Sequence, residues 1–142
     1  MPVTTVEGRI LGIGVDLVHV PSFAEQLELA ESRFSGMFTP GERADIAERS
    51  AHGGGDARYW AVRWAAKEAV VKAWSASIFG EEPILGDAAL AQIETVTDAW
   101  GRPRIALHGY VARELADLSL DVSLSHDGDH AIAYVVLSAP TR

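Results

Sequence analysis

Residues 57–76 read Ala57-Arg58-Tyr59-Trp60-Ala61-Val62-Arg63-Trp64-Ala65-Ala66-Lys67-Glu68-Ala69-Val70-Val71-Lys72-Ala73-Trp74-Ser75-Ala76. Rich in alanine, this stretch predicts a helix about 30 Å long at the usual rise per residue. At about 100° per residue its apolar groups fall on nearly all sides, Trp60, Val62, Trp64, Ala66, Val70 and Val71 among them, and a helix apolar all round is a buried one. Glu68, Lys72 and Ser75 share one stripe, and Arg63 and Lys67 share another. Charge carried into an enclosed element needs partners there. A local Glu68–Lys72 pair, worth about 0.2–0.5 kcal/mol, is the plain explanation. Against it stands the distribution of lysine: Lys67 and Lys72 are the only two in the chain, every other basic residue being Arg. An ammonium on a flexible stem is a standard phosphate contact.

Working outward, Arg9 to Val18 predicts a strand, and Pro21 to Glu31 a short helix with Pro in its first turn. Thr39-Pro40-Gly41-Glu42 fits a capping box, so a second helix should run from there to about Arg49. Ser50 to Asp56, with Gly53-Gly54-Gly55 at its centre, is a loop. After the long helix come a strand at Gln92–Thr97, a turn at Trp100–Pro103, a short strand at Arg104–Leu107 and a helix from about Gly109 to Leu118. Strands at Asp121–His126 and Ala131–Leu137, joined by Asp127-Gly128-Asp129, should form an antiparallel hairpin. Strands and helices that do not alternate regularly predict an α+β class, a single domain over residues 1–142 with a small, mostly antiparallel sheet packed on the long central helix.

The 142 residues have a one-domain length that buries roughly two-thirds of the unfolded surface. With 48% hydrophobic and 23% charged residues, disordered and fibrous classes are excluded. Twelve basic against twenty acidic side chains give a net charge of -8, which argues against a protein that wraps nucleic acid or an anionic membrane. Any anion must then be held by a local cluster. The absence of cysteine excludes thiolate zinc sites, thiol nucleophiles and a disulfide framework. The apolar stretch Ile10–Val20 is interrupted by Asp16 and His19, and no run reaches membrane-spanning length, so a cytoplasmic location is expected.

On the first strand Gly12, Gly14 and Asp16 share one face, and Leu11, Ile13, Val15 and Leu17 the other. Bare glycines in a strand mark the close approach of a ligand or another backbone; tight packing on a helix, with Asp16 capping the next one, is the simpler outcome. Asp16 and Glu68, on separate elements, together suit a hard cation such as Mg²⁺, which takes one or two carboxylates and completes its shell with water and phosphate oxygens. Basic residues nearby would hold the phosphates, giving a site for phosphoryl transfer. Ser125-His126-Asp127 tempts a hydrolase assignment, but neighbours on a strand point to opposite faces and cannot form a relay, and no Gly-x-Ser-x-Gly elbow is present.

Five segments, in order, carry a resemblance: Gly12-Ile13-Gly14-Val15-Asp16-Leu17-Val18; Phe38-Thr39-Pro40-Gly41-Glu42; Arg63-Trp64-Ala65-Ala66-Lys67-Glu68-Ala69-Val70-Val71-Lys72-Ala73; Gly101-Arg102-Pro103; and Ser123-Leu124-Ser125-His126. Over nearly the whole chain the sequence resembles the small bacterial holo-acyl-carrier-protein synthases of the 4'-phosphopantetheinyl transferase superfamily, most closely their actinobacterial branch. The resemblance implies coenzyme A as donor and co-substrate, attack on its β-phosphate by a serine hydroxyl of an apo acyl carrier protein, and departure of 3',5'-ADP. It implies catalytic roles for Asp16, Lys67 and Glu68, with Asp16 and Glu68 as the Mg²⁺ ligands, and coenzyme-binding roles for Arg63, Lys72, Ser75, Pro103, Ser125 and His126. It also implies a homotrimer with active sites at the subunit boundaries. The proton of the serine would pass to Glu68 or to a metal-bound water, the latter preferred.

The chain departs from the family in two places. Pro21-Ser22-Phe23 stands where many relatives carry a basic residue against the acidic carrier, which shifts carrier recognition to such residues as Arg33, Arg43 or Arg49. Ser75-Ala76-Ser77 replaces Gly-Thr-Gly, so hydroxyl donors would substitute for a flexible backbone cradle. Two other classes are a non-catalytic module binding coenzyme A or a carrier protein, and a metal-independent hydrolase using His126.

Overall fold

The computed structural model describes residues 8–29, 34, 36–51, 56–84 and 86–140. The elements in chain order are β1 (Gly8–His19), α1 (Val20–Leu29), α2 (Pro40–Ala51), α3 (Asp56–Ser77), α4 (Gly86–Leu90), β2 (Ile93–Thr97), β3 (Pro103–Leu107), α5 (Gly109–Glu114), β4 (Ser119–Asp127) and β5 (His130–Pro140). The expected α+β class holds, and every strand pair is antiparallel. The strands form two sheets rather than one: a three-stranded sheet ordered β1-β5-β4 and the separate β2-β3 hairpin. Alternation within a strand sets its faces but not its partner, so this division was not readable locally.

The long helix α3 is the centre. Ala61, Ala65, Ala66, Ala69, Val70 and Ala73 are all fully buried along it, and the inner face of β5 meets it with Ala133, Val135 and Leu137. A register shift between Ile10 and Gly12 precedes the regular part of β1. Beyond it Gly12 and Gly14 press on the helix backbone: a Cβ on Gly12 would lie 1.9 Å from the Ala73 carbonyl oxygen, and one on Gly14 1.9 Å from that of Ala69. The bare glycines therefore serve helix–strand packing, and the approaching backbone is α3. Gly14→Ala must push strand and helix apart, and overpacking of this kind typically costs about 1–3 kcal/mol; urea denaturation should show a lowered midpoint, and an unchanged one would contradict this packing.

Trp60 and Trp64, on a second side of α3, meet Phe38 and Phe34 edge-on, with ring centroids 4.7 and 4.9 Å apart. Local signals set the remaining boundaries. The capping box is formed: the Thr39 N–H donates to Glu42 Oε1 (3.0 Å), and the Glu42 N–H to Thr39 Oγ1 (3.1 Å). Helix α2 continues through Ser50 and Ala51, which the sequence placed in a loop, while Gly53-Gly54-Gly55 lies outside the described residues. His19, not Asp16, caps α1, its Nδ1 accepting the Ser22 N–H at 3.3 Å. The β2–β3 turn is made by Asp98–Arg102, with Pro103 already paired to Thr97 in the ladder. Among the described residues no helix is long and apolar enough to cross a membrane.

Candidate active site

The expected site residues fall into three groups. The first unites Asp16, Glu68 and Lys72. Asp16 ends the glycine face of β1, and Glu68 and Lys72 lie one turn apart on α3. Lys72 does not close a local pair with Glu68; it reaches across to β1, where Nζ donates to Asp16 Oδ1 (3.0 Å) and to the Val15 carbonyl (2.9 Å). Asp16 and Glu68 both line a cavity of about 320 Å³, together with His19, Ser22 and Trp64. Burial first, and the Asp16 carboxylate second, push the Glu68 carboxyl above its ordinary 4.5, with Lys72 pulling the other way.

Two carboxylates in one cavity fit a divalent cation, since a cation offsets both the burial and the Asp16 repulsion that raise Glu68. Mg²⁺ suits such a pair, being an ion that takes one or two carboxylates and keeps water and substrate oxygens. The raised carboxyl also has a sign in stability. Between 4.5 and its folded value, Glu68 keeps a proton in the folded chain that the unfolded chain has released. Its contribution is therefore complete below 4.5 and is lost as pH rises through the folded value. Without metal, unfolding free energy should fall across that window, and Glu68→Gln should flatten the fall; the same slope in the variant would contradict the coupling.

Ser75 continues this stripe, half-buried. The helix runs through Ser77 and closes with the Ile78 N–H on the Ser75 carbonyl at 3.2 Å. Backbone N–H groups of residues 75–77 are thus engaged in the helix, leaving the Ser75 hydroxyl as the donor this segment offers.

The second group is gathered by another cavity, of about 240 Å³, which Arg63, Pro103, Ser125 and His126 all line. Three elements bring them there: α3, the start of β3 and the end of β4. Arg63 is 97% buried as a residue, being 3% exposed; its guanidinium pairs with Asp45 and donates to the Tyr59 carbonyl at 3.1 Å.

Lys67 lines neither of these two cavities. Its ammonium is wholly buried, paired with Glu42 at 2.7 Å and donating to the Leu90 carbonyl at 2.9 Å and to that of Ile93. Three donors meet three acceptors. Burial lowers its pKa from the ordinary 10.5, with Glu42 opposing the shift. Glu42 itself also accepts the Thr95 N–H at 3.1 Å, so one buried ion pair ties α2, α3, α4 and β2.

Sequence reasoning missed Asp45 and placed Arg49 elsewhere. Arg49 lines the second cavity, bonded to Asp45 at 3.2 Å and to Thr97 Oγ1 at 3.0 Å. Their i,i+4 spacing on α2 was legible, but their approach to α3 and β2 was not. Arg43 donates to the Phe38 carbonyl at 3.3 Å, and Arg33 lies outside the described residues.

The 4'-phosphopantetheinyl transferase superfamily pattern matches residues 12–135. A holo-[acyl-carrier-protein] synthase of Mycobacterium bovis is 50% identical over 131 residues, 92% of this chain and 98% of the relative. The solved acyl carrier protein synthase of Mycobacterium tuberculosis superimposes with a TM-score of 0.75 at 48% identity, covering 92% of this chain and 99% of that one. A synthase–CoA complex from Chronobacterium ammoniagenes gives 0.80 at 43% identity, over 92% of this chain and 98% of that one. Family pattern, relatives and shared fold agree: the chain belongs to the 4'-phosphopantetheinyl transferase superfamily, among its holo-[acyl-carrier-protein] synthases.

Proposed function

We propose that this chain transfers the 4'-phosphopantetheine group of coenzyme A to a serine hydroxyl of an apo acyl carrier protein, releasing adenosine 3',5'-bisphosphate. The observation that carries the assignment is the meeting of Asp16 and Glu68 on one cavity, with Lys72 bonded to Asp16, in a chain half identical to holo-[acyl-carrier-protein] synthases. Asp16 and Glu68 would hold Mg²⁺, which when bound supplies charge neutralisation for the diphosphate. Lys72 has an exposed stem and gives a phosphate oxygen a positive partner beside the metal. The serine oxygen, its proton passing to Glu68 or to a water that Glu68 orients, forms its bond to the β-phosphorus as the bond to the bisphosphate breaks, the electron pair leaving with the bisphosphate.

The working unit is a homotrimer in the cytoplasm, serving fatty acid biosynthesis. Two features support shared sites. Arg63 and Glu68 lie roughly 140° apart around α3, from its 3.6 residues per turn, so the two cavities open on different sides of one chain. The outer face of the β1-β5-β4 sheet also leaves Ile13, Val15, Leu17, Ile132 and Tyr134 exposed, with Leu17 at 63%, a patch of the kind that covers a partner.

The test is release of adenosine 3',5'-bisphosphate, followed by chromatography in the presence of coenzyme A, Mg²⁺ and apo carrier. Release that needs both metal and carrier is expected. Binding of coenzyme A without release would point to a non-catalytic binding module, and release without carrier or in chelator to a hydrolase.

A further inference from the structure

His19 and Ser22, at the start of α1, line the same cavity as Asp16 and Glu68. Ser22 Oγ lies 2.6 Å from His19 Nδ1, and that ring nitrogen also accepts the Ser22 N–H at 3.3 Å. A backbone N–H can only donate, so Nδ1 carries the lone pair of a neutral imidazole whose proton is on Nε2. The hydroxyl must then donate to Nδ1 as well. Capping the helix needs the N–H alone. The hydroxyl contact is additional, and a serine donating to an unprotonated imidazole is an activated nucleophile.

The surroundings suit a reaction at this serine. His130, opposite His19 in the β1–β5 ladder, lays its ring 5.3 Å from the His19 ring, which holds the imidazole beside Ser22. Both His19 and Ser22 are exposed, so a substrate can reach them. Under the proposed function, on which this inference rests, the diphosphate of coenzyme A comes to the two carboxylates on the same cavity wall. The chain therefore carries within its own site what a carrier protein would bring to it, a serine hydroxyl, together with a base to take its proton.

We propose that Ser22 is itself an acceptor, and that without carrier the chain transfers phosphopantetheine from coenzyme A to its own Ser22. His19 Nδ1 takes the hydroxyl proton, and Oγ forms its bond to the β-phosphorus. The bond from that phosphorus to the bridging oxygen breaks, its electron pair leaving on adenosine 3',5'-bisphosphate, and the imidazolium gives its proton to water. The product is a phosphodiester joining Ser22 to pantetheine. Release of the bisphosphate without carrier then stops at one equivalent per chain, whereas in a hydrolase it continues.

The experiment is intact-mass spectrometry and peptide mapping of the chain incubated with coenzyme A and Mg²⁺ alone, for wild type, Ser22→Ala and His19→Asn; a second portion of wild type is also given an apo carrier protein. Wild type should gain one group of about 340 Da on the peptide that contains Ser22, and Ser22→Ala should gain none. Asparagine keeps an acceptor for the helix cap but is no base, so His19→Asn should slow the gain about a hundredfold or more. The wild-type map decides the proposal even if a variant fails to fold. A wild-type chain that modifies the carrier yet gains no mass itself would overturn the proposal and leave the transfer reaction standing, as would a group mapped to another residue. An unslowed gain in His19→Asn would overturn the activated pair. If neither carrier nor chain gains a group, transfer itself fails, and self-modification falls with it.

Discussion

Lys67→Met is expected to lower the unfolding free energy by about 3–5 kcal/mol, the usual cost of stranding a buried charge. The partner left behind is Glu42, fully buried and shared between the Thr39 and Thr95 N–H groups. The carbonyls of Leu90 and Ile93 lose their donor in the same step. A double variant, Lys67→Met with Glu42→Gln, should recover much of the loss, since the amide oxygen can still accept one of the two N–H groups and no net charge remains buried. Urea denaturation of the three proteins measures this. A single variant within about 1 kcal/mol of wild type, the range of an exposed pair, would show that the ion pair is not the tie among α2, α3, α4 and β2.

Glu68→Gln is expected to lower kcat/KM about a hundredfold or more, the scale found when one preorganised electrostatic partner of a developing charge is removed. Stability should not suffer. The substitution removes a carboxylate that burial and Asp16 already disfavour, so the metal-free variant should melt no lower than wild type. Steady-state kinetics and thermal melting separate the two effects. Near-normal turnover would remove Glu68 from the metal site, and a large fall in melting temperature would make its role structural.

What was legible in the sequence was local. The all-round apolar pattern of α3, the Thr39–Glu42 capping box and the Asp127-Gly128-Asp129 turn each depend on residues a few positions apart, and each formed as expected. The glycine face of β1 was legible as a close approach, while its partner, the backbone of α3, was not. Long-range pairing hid the rest. Lys67 stands next to Glu68 in sequence, yet the two point into different surroundings: Lys67 toward β2 and Glu42, Glu68 toward Asp16. Motif and stripe placed both lysines among phosphates, and only the tertiary fold divides them. Arg49 illustrates the same limit, since its spacing from Asp45 is visible but the cavity it enters is assembled from α2, α3, β2 and β4. The short helix α4 offered no periodicity over its five residues.

Transfer of phosphopantetheine to a carrier serine is tested most directly by intact-mass spectrometry of an apo carrier protein incubated with this protein, coenzyme A and Mg²⁺, beside a sample in excess chelator. The expected result is a gain of one phosphopantetheine group, about 340 Da by covalent arithmetic, that is absent with chelator and absent from a carrier lacking the serine. An unmodified carrier in the presence of bound coenzyme A would contradict the assignment.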